Sequence, residues 1–267
     1  MDLKYRKLFY RFKPLHQALR WYMYNKGVFF YKKIYKDRGF DSIYMSLKNS
    51  KKGKRCFIIG NGPSLKVEDM ERLVGEDCFG ANEIHRIFPK TTWRPLYYVI
   101  ADRYTKSKPE EIRDLDCKNV FLGDYYWRYN IVLREDAICF HEHMGYSTDK
   151  YEFSDDISKK VVVAPTVSYF SMQICAYLGY SEVYLLGFDH SYSFEFDKRG
   201  RVINTGNEST HFYKDEKAKD IIGNVWGMTK AYEAFKKYAE EHGIMVRNAT
   251  RGGKLEIFER VDFDSLF

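Results

Sequence analysis

This chain of 267 residues predicts an α/β fold built on a doubly wound, mainly parallel sheet, and three observations lead there. From Cys56 onward, short apolar runs rich in β-branched and aromatic residues alternate with helical stretches. One stretch, Val161 to Leu186, reads as strand, capped helix, glycine turn and strand. Several apolar runs end on glycine or on a polar side chain. Strands separated by helices pair in parallel through right-handed crossovers. Such Rossmann-like sheets bind ligands outside the carboxyl ends of their strands.

A composition of 45% hydrophobic and 30% charged residues excludes collagen-like, disordered and disulfide-scaffold classes. The five cysteines are widely spaced, odd in number and free of any Cys-x-x-Cys, the pattern of reduced, mostly buried thiols in a cytosolic protein. No apolar run approaches the roughly 18 residues of a spanning helix, and the N-terminus lacks a signal-peptide core. The net charge of +7 is unevenly placed. Residues 1–55 hold 16 Lys and Arg against Asp2, Asp37 and Asp41, a local +13 that leaves −6 for the remainder.

Residues 1–54 are therefore expected to form a basic, aromatic N-terminal helical extension, and residues 55–267 the α/β domain. Thirteen aromatics lie between Met1 and Tyr44. Pro14 suits the first turn of a helix running to about Lys36, with Leu15, Leu19 and Tyr22 on one face. Such a helix can lie on an anionic membrane surface, grip single-stranded nucleic acid, or pack its rings on the main domain. Nucleic acid is the least expected of the three. The polar run Lys48 to Arg55 suits a linker.

Within the domain, strands are expected at Cys56–Gly60, Cys78–Ala81, Leu96–Ala101, Asn119–Leu122, Ala137–Phe140, Val161–Val163, Glu182–Leu186 and Ile244–Arg247. Helices are clearest at Ser168–Leu178 and Val225–Glu241. After the first strand comes Gly60-Asn61-Gly62-Pro63-Ser64-Leu65. Its glycines let backbone approach a phosphate or ribose, and its amides and the Ser64 hydroxyl can donate. The spacing matches neither the dinucleotide fingerprint nor a P-loop. Asn82 and Asp102 close two further strands where a ligand would sit, although helix capping would place them equally well. Thr166 and Ser168 open the helix at 168, and Gly187-Phe188-Asp189-His190 follows the strand after it. Hydroxyls and amides at that helix start suit an anion or simply cap the helix.

Taken together, Gly60-Asn61-Gly62-Pro63-Ser64-Leu65, Asn82 and Tyr180-Ser181-Glu182-Val183-Tyr184-Leu185-Leu186-Gly187-Phe188-Asp189 resemble the bacterial lipooligosaccharide sialyltransferases. They also resemble the wider 6-hydroxymethylpterin diphosphokinase-like family, which includes motility-accessory proteins that glycosylate flagellin. The likeness spans roughly residues 55–250. It implies a bacterial glycosyltransferase in which Gly60, Asn61, Gly62, Ser64, Asn82, Asp102, Thr166, Ser168 and Asp189 hold a CMP-sugar donor. Asp102 stands where that family has asparagine.

The resemblance also implies a lid-like insertion, about 192–222, carrying a general base. Here it contains Thr210-His211-Phe212-Tyr213-Lys214-Asp215. An inverting transfer needs a base near neutrality, so His211 is preferred, then Asp215, then His190. Tyr192 and Tyr213 are candidate donors to the leaving phosphate. His141-Glu142-His143 suits a structural histidine pair better than a metal site, and neither Asp114-Leu115-Asp116 nor Asp262-Phe263-Asp264 follows a strong strand. Asn248 and Thr250, beyond the last strand, could reach a base or form a turn.

The expected activity is transfer of sialic acid or a related keto-sugar acid from a CMP-activated donor to a cell-surface glycan or glycolipid, as in lipopolysaccharide biosynthesis, with no cofactor or metal required. The expected location is cytoplasmic, peripheral at the inner face of the membrane. Two rivals fit the same residues: an ATP-dependent diphosphokinase acting on 6-hydroxymethylpterin, and a non-catalytic nucleotide-binding or membrane-surface scaffold.

Overall fold

The computed structural model describes residues 13–26, 32, 36, 38–101, 108–126, 134–145, 151–196, 201–206, 209–213 and 222–267. Its centre is a parallel sheet of eight strands in the order β13-β12-β8-β1-β2-β3-β4-β5. These strands are β1 (Arg55–Ile59), β2 (Cys78–Ala81), β3 (Tyr97–Ile100), β4 (Asn119–Gly123), β5 (Ile138–Phe140), β8 (Glu182–Leu186), β12 (Met245–Asn248) and β13 (Glu259–Arg260). The chain builds outward from β1 to β5, then returns to the other flank of β1 with β8. Strand order thus reverses between β1 and β8, which are paired along their full length from Arg55–Glu182 to Ile59–Leu186. Ligands of open α/β sheets bind at such a switch point.

The apolar runs are continuous because both faces of the sheet are covered. On β1, Cys56 lies against Cys175 of a helix, while Phe57 points the other way and stacks on Tyr184 and Phe267 at ring-centroid distances of 5.3 and 6.0 Å. The helices are α1 (Lys13–Asn25), α2 (Phe40–Leu47), α3 (Val67–Arg72), α4 (Pro109–Arg113), α5 (Ser168–Leu178) and α6 (Val225–Glu241), with a 3-10 helix over Asn82–Lys90. The bounds of α5 and α6 agree with the periodicity that predicts them. Asn224 caps α6 by accepting from Gly227 N at 3.0 Å, and Met228, Ala231, Tyr232, Phe235 and Ala239 form its buried stripe. All five cysteines are buried thiols, and no described helix is long and apolar enough to cross a membrane.

Three features differ from the sequence expectation. The polar run after Leu47 is no linker. Asn49 N donates to Tyr177 O (3.0 Å), Lys51 N donates to Leu178 O (2.8 Å), and the Lys51 ammonium meets Asp77 at 2.8 Å, so the run is tied to the C-terminus of α5. Ahead of it α2 buries Phe40 and Tyr44, and the Tyr44 hydroxyl donates to Cys139 O at 2.8 Å. Helix α1 stops at Asn25, whose side-chain amide donates to Trp21 O and Met144 O (2.9 and 3.1 Å); the rest of the expected helix lies largely outside the described residues. Two small sheets also appear beside the main one. β6 (Glu142–His143) pairs with β7 (Val161–Val162), and the inserted segment carries β9 (Phe194–Phe196), β10 (Val202–Asn204) and β11 (Ile222–Gly223) in the order β10-β9-β11.

Candidate functional site

At the switch point, the segments leaving β1 and β8 cross by backbone contact. Gly60 N donates to Leu186 O (2.7 Å) and Gly62 N donates to Gly187 O (3.0 Å). A Cβ on Gly60 would run into Gly187 O, and one on Gly62 would come within 2.6 Å of that oxygen and 2.7 Å of Asp189 Cγ. Only glycine permits this approach. Ser64 then clasps the loop: its hydroxyl and amide both donate to Asp189 Oδ2, at 2.8 and 3.3 Å. Burial raises the Asp189 carboxyl above its usual range despite these two donors.

Asn61 and Asn82 complete the ends of neighbouring strands β1 and β2. Asn61 Nδ2 donates to Ala81 O at 3.1 Å, which turns its Oδ1 the other way. That Oδ1 and the Oδ1 of Asn82 are buried and have no hydrogen-bond partner among the described residues. Asn82 sits in the left-handed region at φ 49°, a conformation asparagine tolerates better than most side chains. Its carbonyl is held by the Tyr98 hydroxyl and lies 3.1 Å from His85 Nδ1. The backbone conformation is therefore imposed from β3 and from the 3-10 helix, while the carboxamide oxygen is left unpaired. Unpaired buried acceptors are rare in folded proteins and call for an explanation.

On the β8 side, His190 also has a left-handed backbone, φ 53°. Its Nε2 lies 2.9 Å from Thr229 Oγ1, and that hydroxyl donates its only proton to Val225 O at 2.9 Å. Nε2 must then carry the imidazole proton, leaving Nδ1 as the acceptor nitrogen. Burial depresses the His190 pKa to about 4. The same imidazole lies 5.7 Å from the ring of Tyr232, whose hydroxyl is 3.4 Å from Thr166 Oγ1. Burial raises the Tyr232 phenol to about 12, so it stays neutral. Because α5 links β7 to β8, its N-terminus and Thr166 and Ser168 lie at the carboxyl edge, one side chain removed from His190. Ser168 N donates to Thr166 Oγ1 at 3.3 Å.

The inserted segment closes over the other side. Phe212 N donates to Asn61 O at 3.1 Å, and the Tyr213 ring packs on the Arg86 guanidinium (5.1 Å) and on the His211 ring (5.1 Å). His211 Nδ1 lies 2.9 Å from Thr210 Oγ1. Tyr192 is packed beneath Gly223, and burial raises its phenol. Gly60, Gly62, Ser64 and Asp189 are thus linked by direct contacts; Asn61 reaches the strand end before Asn82 through Ala81 O and the inserted segment through Phe212 N, which lies between His211 and Tyr213, and Thr166 reaches His190 through Tyr232. Asp102 and Asp215 lie outside the described residues.

Several further polar positions are tied into the fold by their own partners. Asn248 accepts from Thr250 N (3.0 Å) and donates to Leu255 O (2.8 Å), and the Thr250 hydroxyl accepts from Phe188 N (2.9 Å), the bonding of a turn. His141 Nδ1 is 2.7 Å from Asp124 Oδ2, and Asp124 Oδ1 accepts from Glu142 N, holding the chain where it leaves β5. Asp116 pairs with Arg94, and Asp264 with Arg251 and Arg72. Glu83, His85 and Glu111 converge, but Lys108 and Arg86 both ion-pair with Glu83. Tyr98, Thr229 and Tyr232 are the residues that sequence reasoning missed. Thr229 and Tyr232 stand three apart on α6, a spacing that puts them on one helix face.

The chain matches none of the protein-family models, curated proteins or solved structures with which it was compared.

Proposed function

We propose that this protein is a glycosyltransferase whose switch-point crevice binds a nucleotide-activated sugar. The observation that carries this is the pair of buried, unpaired carboxamide oxygens, Asn61 Oδ1 and Asn82 Oδ1, at the ends of adjacent strands. Each needs a donor, and ribose hydroxyls or a base amine supply donors. The glycine crossing beside them lets backbone amides approach a phosphate, and the N-terminus of α5 faces the same edge. The likeness of these residues to the sialyltransferases supports a CMP-activated keto-sugar acid as donor and a glycan or glycolipid hydroxyl as acceptor.

In this proposal His211 removes the acceptor proton. His190 is the weaker candidate, because a base held at about pKa 4 gives little driving force at neutral pH. It serves instead as a fixed acceptor through Nδ1. Tyr213, whose ring packs against His211 and Arg86, would donate to the leaving phosphate. The diphosphokinase alternative is less well supported, since the Oδ2 of Asp189 is engaged by Ser64 and a Mg²⁺ site would want that carboxylate.

A thermal-shift series with CMP, CDP, UDP, GDP and ATP tests the proposal. At about 100 times its dissociation constant the cognate nucleotide should stabilise the fold by roughly 2.7 kcal/mol. CMP-sugar turnover should then fall by about 10² to 10⁴ in His211→Gln with CMP affinity retained. Stabilisation by no nucleotide, or by ATP alone together with diphosphoryl transfer from ATP to 6-hydroxymethylpterin and release of AMP, would overturn it.

A further inference from the structure

We propose that α1 is a docking element for an anionic lipid bilayer. The helix is attached to the domain in an unusual sense. Tyr24 is buried against Tyr125 (ring centroids 4.4 Å apart), and Asn25 donates to Met144 O. These two residues define the face that meets the protein. Stepping by about 100° per residue places Leu15, Leu19 and Tyr22 nearly opposite Tyr24. They are 70, 51 and 59% exposed, whereas Trp21, between Tyr24 and Asn25 on the helix wheel, is 41% exposed. The apolar stripe of this amphipathic helix therefore points away from the domain whose core it would ordinarily join.

Charge selects the occupant. From Leu3 to Lys36 the chain carries ten Lys and Arg and no Asp or Glu. A second copy presenting the same stripe would bring two such segments together at close range, and their repulsion opposes pairing. Single-stranded nucleic acid would satisfy the cations but leave two leucines against phosphate. A bilayer with anionic headgroups meets both needs: the leucines enter the acyl boundary, Tyr22 sits at headgroup depth, and each nearby cation adds attraction. This inference is independent of the reaction assigned to the crevice.

The test is co-sedimentation of the full chain with vesicles of phosphatidylcholine, alone or mixed with phosphatidylglycerol. Binding should require phosphatidylglycerol and weaken as salt is raised. In the double variant Leu15→Glu/Leu19→Glu it should fall at least about tenfold, with the melting temperature unchanged because both positions are exposed. A Leu15→Phe/Leu19→Phe variant should still bind, which separates loss of the apolar stripe from loss of the helix. Equal binding to neutral vesicles, undiminished binding by the Glu variant, or concentration-dependent dimers abolished by that variant would each overturn the assignment. So would an oligonucleotide that binds both proteins alike while the vesicles bind neither.

Discussion

Two strand ends of the central sheet carry nearly the same residue types and do opposite things with them. After β12, Asn248 and Thr250 are buried, and the carboxamide is satisfied on both sides while the Thr250 hydroxyl accepts from Phe188 N. After β1 and β2, Asn61 and Asn82 are also drawn into the structure, but each retains a carboxamide oxygen that nothing in the described protein meets. Residue type does not distinguish the two edges; unused hydrogen-bonding capacity does. A satisfied asparagine holds a turn, whereas an unsatisfied one is held by its surroundings for something else.

The most severe way to break the contrast is Gly62→Ala. The added methyl would drive Asp189 and Gly187 apart, so calorimetric titration with the cognate nucleotide should show no binding, with a stability loss of about 1–3 kcal/mol. Next comes Asn248→Ala, which strands the buried partners Thr250 N and Leu255 O. Denaturant unfolding should register a loss of about 3 kcal/mol. Asn61→Ala sharpens the contrast. It forfeits one bond to Ala81 O but removes an orphaned oxygen, so stability should move by less than about 1 kcal/mol while nucleotide affinity drops about tenfold. A large stability loss with unchanged affinity would place Asn61 with Asn248.

The last prediction, confined to acid conditions, is a pH dependence. The folded protein keeps His190 neutral down to about pH 4, whereas the unfolded chain protonates it at its ordinary, higher pKa. The unfolded state therefore binds the extra proton between those values. Stability from this residue is intact at neutral pH and lost as pH falls towards 4, by at most about 3 kcal/mol. His190→Gln should flatten that part of the stability curve, and an unchanged slope would mean that another group is responsible.

Much of this architecture is legible in the sequence. The inner strands and the helices α5 and α6 announce themselves as uninterrupted apolar runs and long periodic stretches, because both faces of the sheet are covered. Helix α2 was missed although Phe40, Ile43, Tyr44 and Leu47 follow helical spacing. It is only eight residues long, and its N-cap, Gly39, supplies no side-chain cap. Strands β9 and β10 were missed because their residues are half-exposed or exposed and carry no apolar run. At the site, the glycine loop and Asn82 are visible as strand-end residues. What holds them is not: Tyr98 reaches Asn82 across 16 positions and Thr229 reaches His190 across 39, partnerships that only the fold creates.

The meeting of Gly60 and Gly187 has a practical meaning for anyone wishing to retune this crevice. Where the two glycines meet, main chain lies on main chain with no room for a Cβ, so neither position can be exchanged for another residue. Altered selectivity has to be engineered around the rim, at the two carboxamides, the imidazoles and the phenol of the overlying flap, while that junction stays as it is in any redesigned descendant.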